Sequence, residues 1–329
     1  MNTLKNNIFT KVKDELGSIE NALRQNLASE LGIVSQIASH ILFSGGKRLR
    51  PLLMVLCARL CGYRGAYDII FSTVFEYLHV ATLLHDDLVD DAALRRGRPV
   101  AHSIWGNSVA VLVGDFLLAR SLCIGCKTGS MKVIRVIAEI TENMSQGEIQ
   151  QLTKKEKLDL SEEEYTEVIE RKTAVLIEGA CRVGAIIADA QEQEETALST
   201  YGLNLGIAFQ MADDLLDYIS DTSSLGKETG ADLREGKLTL PVIFALKQAG
   251  SEDRTWMESI IKSKSFSDEE FERLTGMLKK YGGIEHTEKM AKEYIKKAKD
   301  ALSVFTNSDH SETKETLLAI ADYVLEREN

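Results

Sequence analysis

Proline is scarce. Only Pro51, Pro99 and Pro241 occur in 329 residues, and no Ser/Gly/Pro-rich stretch divides the chain. A single domain over residues 1–329 is therefore expected. A basic excess is missing too. The net charge is −11, which argues against a broad nucleic-acid footprint, since that needs cations to neutralise phosphates. Five cysteines are too few and too unevenly spaced for a disulfide framework. Cys123 and Cys126 form a lone C-x-x-C, read here as two buried small apolar residues. The first sixteen residues lack the apolar run of a signal peptide, and a cytoplasmic location is expected. Residues 109–126 are apolar but carry Asp115 and Arg120, so they read as a core helix with no transmembrane segment. No alternating apolar–polar run points to a sheet, and no repeat of fixed period is visible.

What is present is helical periodicity. Apolar residues make up 44% of the chain, enough for a large core. Helical spacing of apolar positions predicts helices within 8–42, 66–90, 107–126, 130–153, 161–188, 194–219 and 238–249. Ser161 with Glu164, and Ser267 with Glu270, have the spacing of capping boxes. Gly282–Gly283 suits a break between two C-terminal helices. The expected fold is all-α, one large helical bundle.

Three stretches are not explained by helix packing: SGGKRLRP at 44–51, AALRRGRP at 92–99 and GKETGADLREGKLT at 226–239. Each combines glycine with Lys or Arg between apolar helices, a composition suited to loops that approach an anion closely. Arg48 and Arg98 read equally well as solvated surface residues. Two acidic clusters complement these loops, and each ends an apolar helix. In the first, Asp86 and Asp90 share a helix face with Asp87 beside them. In the second, Asp213 and Asp217 share a face with Asp214 adjacent. Stacked carboxylates repel, and burial penalises their charge, so a hard cation is the expected counterpart. Mg²⁺ suits carboxylates that share it with phosphate oxygens. Carboxylates, cations and helix ends together read as a site for a diphosphate bridged by Mg²⁺.

At this point the chain resembles the trans-prenyl diphosphate synthase family. The resemblance rests on GGKRLRP at 45–51, HDDLVDDAALRRGRP at 85–99, Lys172–Thr173, QMADDLLD at 210–217 and GKETGADLREGKLTLP at 226–241, in that order. It implies an isoprenoid-synthase helical fold with a central cavity. The implied reaction joins an allylic diphosphate to isopentenyl diphosphate, with more than one Mg²⁺ per active site and a homodimeric enzyme. By the same resemblance, Asp86, Asp87 and Asp90 would hold Mg²⁺ on the allylic diphosphate, with Asp91 assisting. Asp213, Asp214 and Asp217 would complete the metal set from a facing helix. Arg95 would contact the allylic diphosphate. Lys47, Arg50, His79 and Arg96 would bind isopentenyl diphosphate. Lys172, Thr173, Gln210, Lys227 and Lys237 would line the allylic side. His85 has no assigned role.

The implied chemistry is ionisation followed by alkylation and proton loss, which needs no Ser, Cys or Lys nucleophile. A loop over residues 221–237 would close over the site to exclude water. The growing chain would run between helices. Ala81, five residues before Asp86, lies roughly 7.5 Å back along the helix. Ala81 and Thr82 are small and would leave the tunnel open. The floor is then expected deeper, at Tyr77, Phe75, Ile137 or Met144. That reasoning favours a long product of about C40, a quinone side-chain precursor, over a geranylgeranyl product. A terpene cyclase would have no use for the second diphosphate site. A non-catalytic partner subunit would have no need of both intact acidic clusters. The apolar 107–126 helix is the candidate dimer interface.

Overall fold

Helices form where apolar residues recur three and four apart. The computed structural model describes residues 3–155, 157–219 and 230–326. By contacts the chain resolves into two compact units. One comprises Met1–Glu142, Leu176–Gly202 and Asp300–Ile320; the other comprises Asn143–Val175, Leu203–Lys299 and Ala321–Asn329.

In the first unit, helices α1 (Thr3–Lys11), α2 (Lys13–Asn26), α3 (Gly32–Leu42), α4 (Leu49–Leu60) and α5 (Asp68–Val89) follow in order. The short helix α6 (Ala101–Trp105) and helices α7 (Asn107–Cys126) and α8 (Met131–Lys154) come next, α8 belonging to the second unit from Asn143 on. Helix α5 is the axis of this unit and packs against α7, α4 and α2. Small residues on α7 permit the approach. A Cβ on Gly114 would lie 2.2 Å from His85 Nε2, and Ser121 Oγ donates to the Val74 carbonyl at 3.3 Å. His85, left without a role by the sequence, thus packs the acidic end of α5 onto α7, its ring nitrogen 3.2 Å from the Val111 carbonyl.

The outer side of α7 departs from the core-helix expectation. Leu112 is 65% exposed, and Cys123 and Cys126 are exposed rather than buried. Three-residue steps carry both cysteines round to the side away from α5. Helix α7 is also long and apolar enough to cross a membrane by length and composition, with 39% of its apolar window buried.

The sheet-free expectation needs one correction. Residues 92–99 contain a minimal hairpin, β1 (Leu94–Arg95) paired antiparallel with β2 (Arg98–Pro99). Its two turn residues, Arg96 and Gly97, both have positive φ, 52° and 71°. That is the two-residue turn whose twist matches a hairpin. Two-residue strands are too short for any alternation to show in sequence.

The second unit is built on α9 (Glu162–Ile169), a π-helical turn (Glu170–Ala174) that runs into α10 (Val175–Ile187), and the later part of α11 (Glu192–Ile219). Helices α12 (Ala231–Arg234), α13 (Leu240–Gln248), α14 (Ser251–Ser263), α15 (Asp268–Lys280) and α16 (Gly283–Ala301) follow, and α17 (Ser311–Leu325) belongs to the first unit as far as Ile320. Both expected capping boxes form, at Ser161/Glu164 and Ser267/Glu270. Gly282, with φ 74°, separates α15 from α16. The core of this unit gathers Met211, Leu215 and Tyr218 of α11 with Leu233, Leu238, Leu274 and Leu278. Glycines grip the π turn closely. A Cβ on Gly147 would meet the Lys172 backbone nitrogen at 2.7 Å, and one on Gly206 would meet Ala174 Cα at 2.6 Å.

Candidate active site

The first acidic cluster sits where α5 stops. Asp91 adopts the left-handed conformation (φ 50°) that ends many helices. The Ala92 N–H then reaches back to the Asp87 carbonyl at 2.9 Å. Asp91 is therefore a helix stop. Asp86 and Asp90 are half-buried, whereas Asp87 is 2% exposed. Asp87 Oδ1 accepts from Arg95 Nε and lies 2.6 Å from Arg95 Nη2. The two residues assigned separately to metal and diphosphate are thus paired with each other.

Several arginines lie near His79 of α5 in the same unit. Burial pushes the His79 imidazole well below its usual pKa, and Arg50, Arg96, Arg95 and Arg48 push it further the same way. A neutral imidazole near several guanidiniums suits an anion, which the histidine would meet with a hydrogen bond rather than a charge. Arg96 donates to the Gly45 carbonyl, tying the hairpin tip to the glycine loop that carries Lys47. Arg98 is exposed, as a solvated surface residue would be. Arg48 is not: it is 6% exposed. It sits before α4 with φ 49° and ψ 36°, a left-handed conformation that costs an L-residue about 1–2 kcal/mol.

The neutrality of His79 has a measurable consequence. Its pKa of 6.5 in the unfolded chain falls on folding. Below about pH 6.5 the unfolded chain takes up a proton that the folded site refuses, so stability falls with falling pH until the folded pKa is reached. Substituting His79→Gln is expected to flatten that part of the stability–pH curve. Urea unfolding of both proteins at about pH 7.5 and about pH 5.5 checks it. An unchanged difference between the two pH values would show that folding does not lower the His79 pKa.

In the second unit, a polar chain runs across the π turn and α11. Thr173 Oγ1 donates to Gln210 Oε1 at 3.0 Å. Gln210 Nε2 donates to Asp214 Oδ1 at 2.7 Å, and Tyr165 OH donates to Asp214 Oδ2 at 2.6 Å. These groups line a cavity of about 160 Å³ together with Lys172, Lys237 and Asp232. Lys172 is held by Gln151 at 2.7 Å and by Glu148; Lys237 pairs with Glu235. Asp217 Oδ1 and Oδ2 accept the N–H groups of Ala231 and Asp232, each at 3.1 Å, and so cap the start of α12. Of the second acidic cluster, Asp213 alone is exposed. Lys227 falls within 220–229, outside the described residues, as does most of the expected closing loop.

The acids here are under electrostatic stress. Burial, then the charges of Asp232 and Asp213, raise the Asp214 carboxyl well above its usual range. Burial and Asp217 push Asp232 up to about 7. Among the described residues no three acidic, His or Cys side chains form a ready-made metal cage. An all-oxygen donor set without a closed cage fits a hard divalent ion that completes its shell with water and phosphate oxygens.

Sequence reasoning missed Tyr165, Asp232 and Glu76. Tyr165 occupies an ordinary apolar position of an amphipathic helix. Asp232 lies in a stretch singled out for its cations. Glu76, the buried partner of Arg48, sits in an apolar helix interior, where an isolated acid is itself a signal of a paired charge.

Residues 32–278 match the polyprenyl synthetase family. The chain is 36% identical to the octaprenyl diphosphate synthase of Escherichia coli over the whole length of both. A polyprenyl synthase from Caulobacter crescentus, solved with calcium and isoprenyl diphosphate, superposes with a TM-score of 0.92 at 37% identity, covering 98% of each chain. A decaprenyl diphosphate synthase from Rhodobacter capsulatus gives 0.90 at 38% identity, covering 98% of this chain and 99% of that one. The fold is accordingly the all-α isoprenoid-synthase fold, and the chain belongs to the polyprenyl synthetase family of prenyltransferases.

Proposed function

We propose that the protein lengthens an allylic diphosphate by successive trans additions of isopentenyl diphosphate, giving a long-chain product of about C40 that serves as a quinone side chain. The observation that carries the reading is the group of Arg50, Arg95 and Arg96 whose charges, with burial, keep the half-buried His79 neutral. It is a second anion site that a catalyst acting on one diphosphate alone would not need.

In this reading Lys47, Arg50, His79 and Arg96 hold isopentenyl diphosphate. Lys172, Thr173, Gln210 and Lys237 are assigned to the allylic substrate, as are Arg95 and, outside the described residues, Lys227. Asp86 and Asp90 of the first acidic cluster are candidate ligands of Mg²⁺, and Asp213 is the candidate ligand of the second cluster. Asp87, Asp214 and Asp217 act on them through the hydrogen bonds that fix their helices. When bound, Mg²⁺ supplies neutralising charge for the departing diphosphate. The Gln210 amide oxygen and the Thr173 hydroxyl oxygen are lone-pair donors suited to stabilising an allylic cation by dipoles rather than by bonding. Lys172 and Lys237 offset the charge of the released diphosphate. The exposed outer stripe of α7, with Leu112 at 65% and Leu122 at 36% exposure, supports a homodimer.

The test is incubation with farnesyl diphosphate, labelled isopentenyl diphosphate and Mg²⁺, with products resolved by length. A ladder ending near C40 is expected. A stop at C20 keeps the elongation and removes the long-chain reading. No incorporation from farnesyl, geranyl or dimethylallyl starters would overturn both.

A further inference from the structure

The Arg48 guanidinium is spent entirely on the protein. Its Nε donates to Glu20 of α2 at 2.6 Å, its Nη1 to Glu76 of α5 at 2.8 Å, and its Nη2 to the Leu42 carbonyl at the end of α3 at 2.5 Å. Three elements are joined by one side chain, and both it and Glu76 are buried. The same residue holds the left-handed backbone turn between Lys47 and the first residues of α4, among them Arg50. The glycine before Lys47 is hemmed in from both sides: a Cβ on Gly46 would lie 3.1 Å from Arg48 Nη1 and 3.3 Å from Arg96 Nη1.

We infer that Arg48, with Glu76 and Glu20, is a positioning residue that presents Lys47 and Arg50 to isopentenyl diphosphate and does not itself bind the diphosphate. The inference rests on the assignment of that loop to isopentenyl diphosphate. An arginine fork matches several acceptors at fixed angles, whereas a lysine offers one compact point charge. The loop backbone is strained into a turn that glycine or asparagine would adopt more readily. The fork is what holds it there. Without it the loop keeps its charges and loses their aim.

Charge and position make opposite predictions for the two glutamates. Neither would touch the substrate. Neutralising a carboxylate beside a cationic site strengthens anion binding if charge alone matters, because it removes a repulsion and releases Arg48 toward the anion. If Arg48 works by holding the loop, the same change weakens binding. Glu76→Gln, Glu20→Gln and Arg48→Lys are compared with the unchanged full-length enzyme and with Arg50→Met. Each is assayed with Mg²⁺, varying isopentenyl diphosphate at saturating farnesyl diphosphate and then the reverse. Thermal unfolding checks that each is folded at the assay temperature.

The expected result is a KM for isopentenyl diphosphate raised about fivefold or more in Glu76→Gln and Arg48→Lys, and by less in Glu20→Gln, with KM for farnesyl diphosphate and kcat changed less than about threefold. A lowered or unchanged KM for isopentenyl diphosphate in the folded glutamate variants, or a normal one in Arg48→Lys, overturns the inference. Glu20 is the more exposed partner, its side chain 35% accessible, so Glu20→Gln carries the test if Glu76→Gln does not fold. If Arg50→Met leaves that KM unchanged, the assignment of the loop to isopentenyl diphosphate fails, and the inference with it.

Discussion

Asp86→Asn and Asp213→Asn are each expected to lower the rate of isopentenyl incorporation by about 10²–10³-fold or more, the scale on which a preorganised charge partner of the leaving group acts. The fold should scarcely notice. Asp86 is half-buried and Asp213 exposed, and asparagine keeps the size and one acceptor oxygen of the acid it replaces. The comparison with their neighbours sharpens the point. Asp87 is bonded to Arg95, Asp214 to Tyr165 and Gln210, and Asp217 to the start of α12. In the proposed reading these acids support other groups, and losses of about 10–100-fold are typical when such a support is removed. Rates measured across a Mg²⁺ titration separate the classes. Asp86→Asn and Asp213→Asn should need more Mg²⁺ for half-maximal rate. If either retains normal incorporation at normal Mg²⁺, its assignment as a metal ligand is wrong.

The bonds of Asp87 to Arg95 and of Asp214 to Tyr165 were invisible in the sequence, and the reason is physical. Spacing places Asp86 and Asp90 on one helix face, but it does not say which neighbour turns inward to meet an arginine across a hairpin. Helices with long, uninterrupted periodicity were legible almost to the residue: the 107–126 expectation is α7, Asn107–Cys126. The π turn at Glu170–Ala174 was not, because one extra residue in a turn barely changes the apolar pattern. Its signal lay elsewhere, in Gly147 and Gly206, which leave room for a widened backbone. Arg48 was ambiguous for a related reason. Its partners, Glu20 and Glu76, are each 28 residues away on other helices, and no local pattern relates them. The cationic glycine loops, by contrast, are candidates that composition alone raised, since glycine beside Lys and Arg between apolar helices suits a close approach to an anion.

Ala81→Phe is expected to shorten the product, moving the end of the ladder from about C40 to C20 or below. Ala81 is 5% exposed, one helical turn from the fully buried Tyr77, and roughly 7.5 Å of helix rise before Asp86. Thr82 gives its hydroxyl to the His79 carbonyl at 2.8 Å, which leaves its methyl as the group offered to a passing chain. Tyr77 is anchored by its hydroxyl to the Leu23 carbonyl at 2.6 Å, so it suits a floor that does not swing aside. A phenylalanine at position 81 has two possible fates, and they are separable. If the small side chain borders the path of the growing chain, the ring blocks that path and the product shortens while the protein stays folded. If Ala81 only lets helices pack closely, the ring overpacks a core and costs about 1–3 kcal/mol, which lowers the melting temperature without changing product length. Both are read from one preparation, by product analysis and thermal unfolding. An unchanged ladder from a folded Ala81→Phe enzyme would move the determinant of chain length away from this turn of α5.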